Sequence, residues 1–208
     1  MDFQPLKYIY KPAGHPGAYT LLLLHGTGGN EADLIPLVEN FGSNYNILSL
    51  RGNVTENGMP RFFKRLGMGI FDEKDLHFRT DEIVAFVKAL ATTEDFDTSK
   101  IIALGYSNGA NIAGAALLKH PEFLAGAILF RPMQPFKDLQ SAGTANKIPV
   151  FFSSGKMDPT VNQEATLEYM AALERLGYDV AFHNFHTAHS LVNEDVELAA
   201  QWLQTNFA

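Results

Sequence analysis

The sequence contains no cysteine among its 208 residues. Because a disulfide, a thiolate zinc site and a cysteine nucleophile all need a thiol, each of them is excluded. Positive charge is also scarce: 16 lysine and arginine residues stand against 23 aspartate and glutamate residues, the formal net charge is −7, and no basic cluster is present. The composition therefore argues against charge-driven binding to nucleic acid or to an anionic membrane.

Long apolar runs are absent as well. The longest, 21–24 and 123–130, fall far short of the roughly 20 residues that span a bilayer. The segment 1–12 carries an early acid and two prolines and lacks the apolar core of a secretory signal. We therefore predict a cytoplasmic protein without a membrane span, and its hydrophobic fraction of 46% is enough for a sizeable core.

Short apolar runs alternate with amphipathic helical patterns along the chain. An antiparallel edge strand is predicted over 6–10, buried strands over 20–25, 45–50, 100–105, 124–130, 148–153 and 179–185, and helices over 80–90, 108–119, 159–176 and 192–203. This alternation predicts an α/β fold, a mostly parallel central sheet with helices on both faces, in one domain over 1–208 without a large cap domain. Residues 51–76, rich in Gly, Phe and Arg, are predicted to form a surface excursion that lines the site.

Residues 105–109 read Gly-Tyr-Ser-Asn-Gly, a G-x-S-x-G pattern between a predicted strand and a predicted helix. In that context a strained turn presents the serine oxygen at the carboxyl edge of the sheet and at a helix N-terminus, and the two glycines let strand and helix approach closely. The pattern predicts Ser107 as a nucleophile. The alternative is a serine that only caps the helix.

A serine nucleophile needs a base, which a third group orients. Two later strand ends supply candidates in the order Ser…Asp…His: Asp158 after 148–153 and His189 after 179–185. Asp158 also suits a helix N-cap, and Asp138 is a competing acid one strand earlier. We predict Asp158 as the acid, because its short loop fixes its position better, and His189 as the base.

Histidines recur at three-residue spacing near the C-terminus, which raises the question of a metal site. On a strand, residues three apart point to opposite faces, so His183 and His186 cannot converge on one ion while both remain in it. No carboxylate cluster accompanies them. We predict no metal and no organic cofactor.

Acyl transfer also needs donors for the developing oxyanion. The backbone N–H of Asn108, directly after the predicted nucleophile, is one candidate, and the N–H of Thr27 in the glycine-rich segment 25–30 is the other. The same segment lacks the lysine of a P-loop and the glycine spacing of a dinucleotide fingerprint, so phosphate binding is disfavoured.

Several segments together resemble the phospholipase/carboxylesterase family of α/β hydrolases, which includes the acyl-protein thioesterases and small bacterial esterases. They are LLLLHGTGGNEADL (21–34), RGNVTENGMPRFF (51–63), GYSNGA (105–110), SSGKMDPTV (153–161) and the loop of His189. The resemblance extends over about residues 6–205. It implies the α/β-hydrolase fold, the roles given above for the predicted catalytic and oxyanion residues, and a structural role for His25 in the oxyanion loop.

The resemblance implies a serine carboxylesterase that acts on a small-molecule ester, as a monomer or homodimer. Since the chain leaves little room for a cap, we expect an open site for small to medium substrates, lined by Phe62, Phe63, Met68, Phe71 and Met133. Thioesterase or lysophospholipase activity is the alternative reaction. A non-catalytic binding protein of the hydrolase fold is the alternative from another class.

Overall fold

The computed structural model describes residues 2–67, 69–139 and 147–207. The strands are β1 Tyr8–Lys11, β2 Thr20–Leu24, β3 Asn46–Leu50, β4 Val54–Glu56, β5 Met59–Arg61, β6 Arg65–Gly67, β7 Ile70–Phe71, β8 Ile101–Tyr106, β9 Gly126–Phe130, β10 Pro149–Gly155 and β11 Asp179–Phe185. The helices are α1 Ile35–Val38, α2 Glu73–Glu94, α3 Asn108–Lys119, α4 Gln163–Arg175 and α5 Asn193–Phe207, with a 3₁₀ turn at Glu39–Phe41.

Within the described residues, seven strands form one sheet in the order β1-β3-β2-β8-β9-β10-β11. The predicted edge strand is confirmed, because β1 pairs antiparallel with β3, and the remaining pairs of this sheet are parallel. Every residue of β2 and β9 is buried, as expected for strands that are covered on both faces. The predicted mostly parallel α/β fold is thus confirmed.

The hydrophobic core lies in two layers, one on each face of the sheet. The larger layer packs α2, α3 and α4 against alternate strand residues, and the smaller layer packs α5 and the 3₁₀ turn against the others. No large cap covers the carboxyl edge of the sheet in the described part of the chain. None of the helices described is both long and apolar enough to cross a membrane.

Helix α2 begins seven residues before the predicted start at 80, at Glu73. Asp72 supplies an N-cap, since its carboxylate accepts a hydrogen bond from the Asp75 N–H (3.1 Å). The first turn carries charged residues, which concealed the apolar spacing there. Consequently the predicted excursion 51–76 is too long: its last four residues belong to α2, and the preceding part contains the small hairpins β4–β5 and β6–β7.

Helix α4 begins at Gln163 rather than at the predicted residue 159. Asn162 caps it, with its side-chain oxygen accepting from the Ala165 N–H (3.1 Å). At the other end the predicted glycine is present: Gly177 follows α4 with φ +94°, the left-handed conformation that ends helices. The loop between β10 and α4 is therefore longer than predicted.

Candidate active site

Ser107 lies in the turn between β8 and α3, in a backbone conformation that a non-glycine residue rarely adopts, with φ 52° and ψ −111°. Its N–H donates to the Phe130 carbonyl at the end of the neighbouring strand β9 (2.9 Å). The flanking glycines are sterically required: a Cβ on Gly105 would lie 2.4 Å from the Gly109 oxygen, and one on Gly109 would lie 1.9 Å from the Leu24 oxygen. The turn is thus held in a strained geometry by close packing of strand on helix.

A continuous chain of hydrogen bonds joins three side chains from three separate loops. The Oγ of Ser107 lies 2.9 Å from Nε2 of His189, and Nδ1 of His189 lies 2.6 Å from Oδ2 of Asp158. Since the carboxylate can only accept, Nδ1 carries the proton and Nε2 is free to accept the serine proton. The Asp158 side chain is 1% exposed and that of His189 is 25% exposed. The series of hydrogen bonds therefore runs from a buried carboxylate to an accessible imidazole.

The Asp158 carboxylate also caps the segment that follows it. Its Oδ1 accepts from the N–H groups of Thr160 (2.8 Å) and Val161 (3.3 Å), while its Oδ2 accepts from His189. The cap and the contact with the base therefore coexist in one side chain. Asp138, the competing acid, is exposed and lies beside a groove lined by α4 residues.

The loops that carry the acid and the base are joined by backbone contacts. The N–H of Lys156 donates to the Phe185 carbonyl (2.8 Å), and the N–H of Met157 donates to the Thr187 carbonyl (3.0 Å). Gly155 makes this approach possible, because a Cβ there would lie 2.2 Å from the carbonyl oxygen of Ala188. The separation between the two side chains is thus fixed by the main chain.

The two predicted oxyanion donors follow the ends of the neighbouring parallel strands β2 and β8. Asn108 is the first residue of α3, and Thr27 follows directly after β2 and its His25-Gly26 extension. Among the described residues, neither backbone N–H donates to a carbonyl oxygen.

His25 supports the turn that contains Thr27. It is 1% exposed; its Nδ1 donates to the Gly26 carbonyl (2.6 Å) and its Nε2 accepts from the Gly52 N–H (3.1 Å). These two bonds specify a neutral imidazole. Burial lowers the pKa of His25, which also favours the neutral form. With both ring nitrogens occupied, His25 cannot act as a base, which agrees with the structural role that the resemblance implies.

The segment 52–63 is attached to the site by polar contacts. The Phe62 N–H donates to Oδ1 of Asn108 (2.8 Å), the Arg61 Nη1 donates to Oγ1 of Thr27 (2.7 Å), and the Gly28 N–H donates to the Pro60 carbonyl (2.9 Å). Arg61 is 3% exposed, and desolvation lowers its pKa from the usual value. The hairpin β4–β5 therefore belongs to the frame of the site.

The predicted pocket residues differ in how far they are buried. Phe62 and Phe63 lie in the hydrophobic core with 1% and 0% exposure, so neither ring forms the exposed pocket wall that was predicted. Phe71 is half-buried and packs edge-on against Phe63 at 5.0 Å, and Met133 is half-buried with its N–H donating to Oδ1 of Asn111 (2.7 Å). Met68 lies outside the described residues.

The histidines at three-residue spacing lie in different environments. His183 stacks on Phe151 (4.9 Å between ring centroids) and on Phe185 (6.0 Å), and burial lowers its pKa, whereas His186 is exposed. In the part of the chain that the structure describes, no group of three or more histidine and acidic side chains is placed to hold a metal ion.

Two residues near the site were missed by sequence reasoning. Tyr106 packs its ring against that of His189 (5.5 Å) and donates its hydroxyl to the His189 carbonyl (3.2 Å). Arg131 directly follows β9 and is 1% exposed, although arginine is rarely buried. The only signal in the sequence is a charged residue immediately after an apolar strand.

Comparison with known proteins identifies related chains over nearly the full length. A model of the family described as Phospholipase/Carboxylesterase matches residues 8–207. The chain is 42% identical over 197 residues to a putative hydrolase, MhqD, of Bacillus subtilis, covering 95% of this chain and 97% of that one. It is 26% identical over 162 residues to acyl-protein thioesterase 1 of Debaryomyces hansenii, covering 72% and 70%.

A solved structure shows the same architecture. The crystal structure of the Bacillus cereus carboxylesterase superposes with a TM-score of 0.94 at 44% sequence identity, covering 97% of this chain and 95% of that one.

Proposed function

This chain belongs to the phospholipase/carboxylesterase family of α/β hydrolases, and we propose that it cleaves carboxylic esters of small to medium size through an acyl intermediate on Ser107. The observation that carries the proposal is the unbroken sequence of hydrogen bonds from Ser107 Oγ through His189 to Asp158, 2.9 Å and 2.6 Å long. These distances are those that a nucleophile, a base and an orienting acid require.

In the first half of the reaction the Ser107 oxygen attacks the ester carbonyl while His189 Nε2 takes its proton. The N–H groups of Thr27 and Asn108 stabilise the negative charge that develops on the carbonyl oxygen. His189 then gives the proton to the leaving alcohol, which departs and leaves the acyl group on Ser107. Asp158 keeps the proton on Nδ1 and stabilises the imidazolium.

In the second half His189 takes a proton from water, and the resulting hydroxide attacks the acyl carbonyl. The same donors stabilise the second tetrahedral intermediate, and its collapse releases the acid and returns the proton to Ser107. Each turnover consumes one ester and one water, releases an alcohol and an acid, and returns Ser107 and His189 to their starting states.

Steady-state kinetics on p-nitrophenyl acetate test the assignment. We expect Ser107→Ala and His189→Ala each to lower kcat by on the order of 10⁴-fold or more, and Asp158→Asn by about 10⁴-fold, because the members of such a triad act as a unit. Ser99→Ala, at an exposed serine bonded to Asp97, is the matched control and should retain full activity. Full activity in Ser107→Ala would refute the proposal.

The size of the substrate is tested by a series of p-nitrophenyl esters. Because no large cap encloses the carboxyl edge of the sheet in the described residues, a long acyl chain gains little buried area. We expect kcat/KM to be highest for short or medium acyl groups. A steady rise of kcat/KM up to the longest chains would contradict the size assignment while leaving the acyl-serine mechanism intact.

Thioester hydrolysis is the second candidate, favoured by the similarity to an acyl-protein thioesterase. The same acyl-serine forms from an ester or a thioester, and only the leaving group differs. Matched oxygen and sulfur esters of one acyl group separate the two activities through their kcat/KM values. A preference for the thioester of more than about tenfold, or 1.4 kcal/mol, would favour the second candidate.

A further inference from the structure

Arg131 is the centre of a fully buried polar cluster beside the site. Its Nη1 and Nη2 pair with both carboxylate oxygens of Asp195 (2.8 and 2.6 Å), and both side chains have no exposed surface. Ser153 Oγ lies 2.6 Å from Arg131 Nη1 and 2.6 Å from Asp195 Oδ1. Three elements, the end of β9, strand β10 and the first turn of α5, therefore meet at one arginine.

The same guanidinium reaches the loop of the predicted base. Arg131 Nη2 donates to the carbonyl oxygen of Ser190 (3.0 Å), and Ser190 directly follows His189. The Asp195 carboxylate in turn accepts from the N–H of Val192 (2.9 Å). The segment between His189 and α5 is thus bonded at two points to the Arg131–Asp195 pair.

The backbone of Arg131 is tied to the nucleophile's side of the site. The Phe130 carbonyl, one residue earlier, accepts from the Ser107 N–H (2.9 Å), and the Arg131 N–H donates to the Ser153 carbonyl (2.8 Å). Arg131 itself has φ 55°, a conformation that costs energy for a side chain of this size. The guanidinium of this strained residue lies against the Ser190 carbonyl, in the loop that follows His189.

A buried ion pair is weak support for a purely stabilising role, because apolar side chains of similar volume often serve as well. The planar fork of arginine, in contrast, can hold a carboxylate and a carbonyl in one rigid arrangement. We propose that Arg131 is a positioning residue. By donating to the Ser190 carbonyl and to the Asp195 carboxylate at once, it holds His189 within reach of Ser107. This inference rests on the proposed function of Ser107 and His189.

The test compares Arg131→Lys with Ser153→Ala. Lysine keeps the charge beside Asp195 but cannot span both the carboxylate and the Ser190 carbonyl, whereas Ser153→Ala perturbs the same cluster and leaves the Ser190 contact in place. We expect Arg131→Lys to lower kcat for p-nitrophenyl acetate by on the order of 100-fold with KM little changed, as a displacement of about 1 Å does. Ser153→Ala should retain kcat near that of the wild type.

A double variant keeps the test valid if lysine is poorly accommodated. Arg131→Met with Asp195→Leu replaces the pair by apolar side chains and also lacks the Ser190 contact. The same fall in kcat is expected, at a melting temperature close to that of the wild type. Arg79→Met, which removes an arginine from the buried carboxylate of Glu82 within helix α2, controls for the loss of a buried ion pair and should leave kcat unchanged.

The His189→Ala background shows whether Arg131 acts through the base. If it does, Arg131→Lys adds no further loss to His189→Ala, whereas independent effects would multiply. Multiplicative losses, or a wild-type kcat in folded Arg131→Lys, would overturn the inference. Retained activity in Ser107→Ala is a different outcome, which refutes the proposed function instead.

Discussion

Tyr169 carries a buried hydroxyl group without a hydrogen-bond partner in the described part of the chain. The residue has 0% exposure, lies on α4 and packs edge-on against Phe152 at 5.6 Å. Burial raises the pKa of this hydroxyl, as expected where no partner stabilises the charged form. An unpartnered buried hydroxyl costs about 1–3 kcal/mol relative to a well-bonded one.

We therefore expect Tyr169→Phe to leave the free energy of unfolding unchanged or to raise it by about 1 kcal/mol. Tyr178→Phe is the matched control: its hydroxyl donates to the Leu117 carbonyl (2.6 Å), so the same substitution should lower the free energy of unfolding by about 1 kcal/mol. Urea denaturation measures both. Equal losses in the two variants would contradict this account of Tyr169.

At the residue scale, the sequence was sufficient to select the candidate catalytic side chains, because they follow the ends of predicted strands. Ser107, Asp158 and His189 each follow a parallel strand, and such ends meet at one edge of the sheet, so their convergence could be expected. The inward position of Phe62 and the burial of Arg131 could not, because both depend on contacts with residues distant in sequence. Hydrophobicity alone cannot distinguish a pocket wall from the core behind it.

The turn between β8 and α3 requires that strand and helix lie unusually close together. A Cβ on Gly109 would lie 1.9 Å from the backbone oxygen of Leu24, which cannot move without shifting β2. We expect Gly109→Ala to lower the free energy of unfolding by at least about 2 kcal/mol and to lower kcat, because the turn carries Ser107.

Gly67→Ala is the corresponding control. The nearest atom to an added Cβ there is Cδ1 of Ile70 at 3.7 Å, an ordinary contact with a flexible side chain. Its effect on the free energy of unfolding should stay within about 0.5 kcal/mol. Thermal denaturation of both variants, with kcat on p-nitrophenyl acetate, separates the two; a Gly109→Ala variant as stable as wild type would refute the packing argument.

Among the elements, those with a strong hydrophobic pattern were predicted well and those fixed by local polar contacts were not. Helix α3 and strand β11 have the predicted bounds. The early start of α2 depends on the Asp72 cap, and the hairpins β4–β5 and β6–β7 have strands of two or three residues, too short to show a period. Helix α1, with four residues, is also too short to show a helical period.

At the scale of the whole molecule, the sequence predicts one domain over 1–208. Trp202, the single tryptophan, is 9% exposed and packs on α5 against Phe151 of the sheet (6.1 Å) and against Phe207 (5.5 Å). Its fluorescence reports the packing of one face, whereas far-UV circular dichroism reports all helices and strands.

If the chain is one cooperative unit, the two signals follow the same urea transition, because neither face of the sheet remains folded without the other. Leu173→Ala, a fully buried change in the layer of the opposite face, should shift both curves together by about 2–5 kcal/mol. Separate transitions for fluorescence and circular dichroism would contradict the single domain.

Covalent labelling by a fluorophosphonate, read by mass spectrometry of the intact protein and of its peptides, tests the acyl-serine mechanism most directly. We expect one adduct per chain, located on Ser107, absent in Ser107→Ala and formed much more slowly in His189→Ala. Absence of an adduct on the folded wild-type protein, or an adduct on another residue that persists in Ser107→Ala, would contradict it.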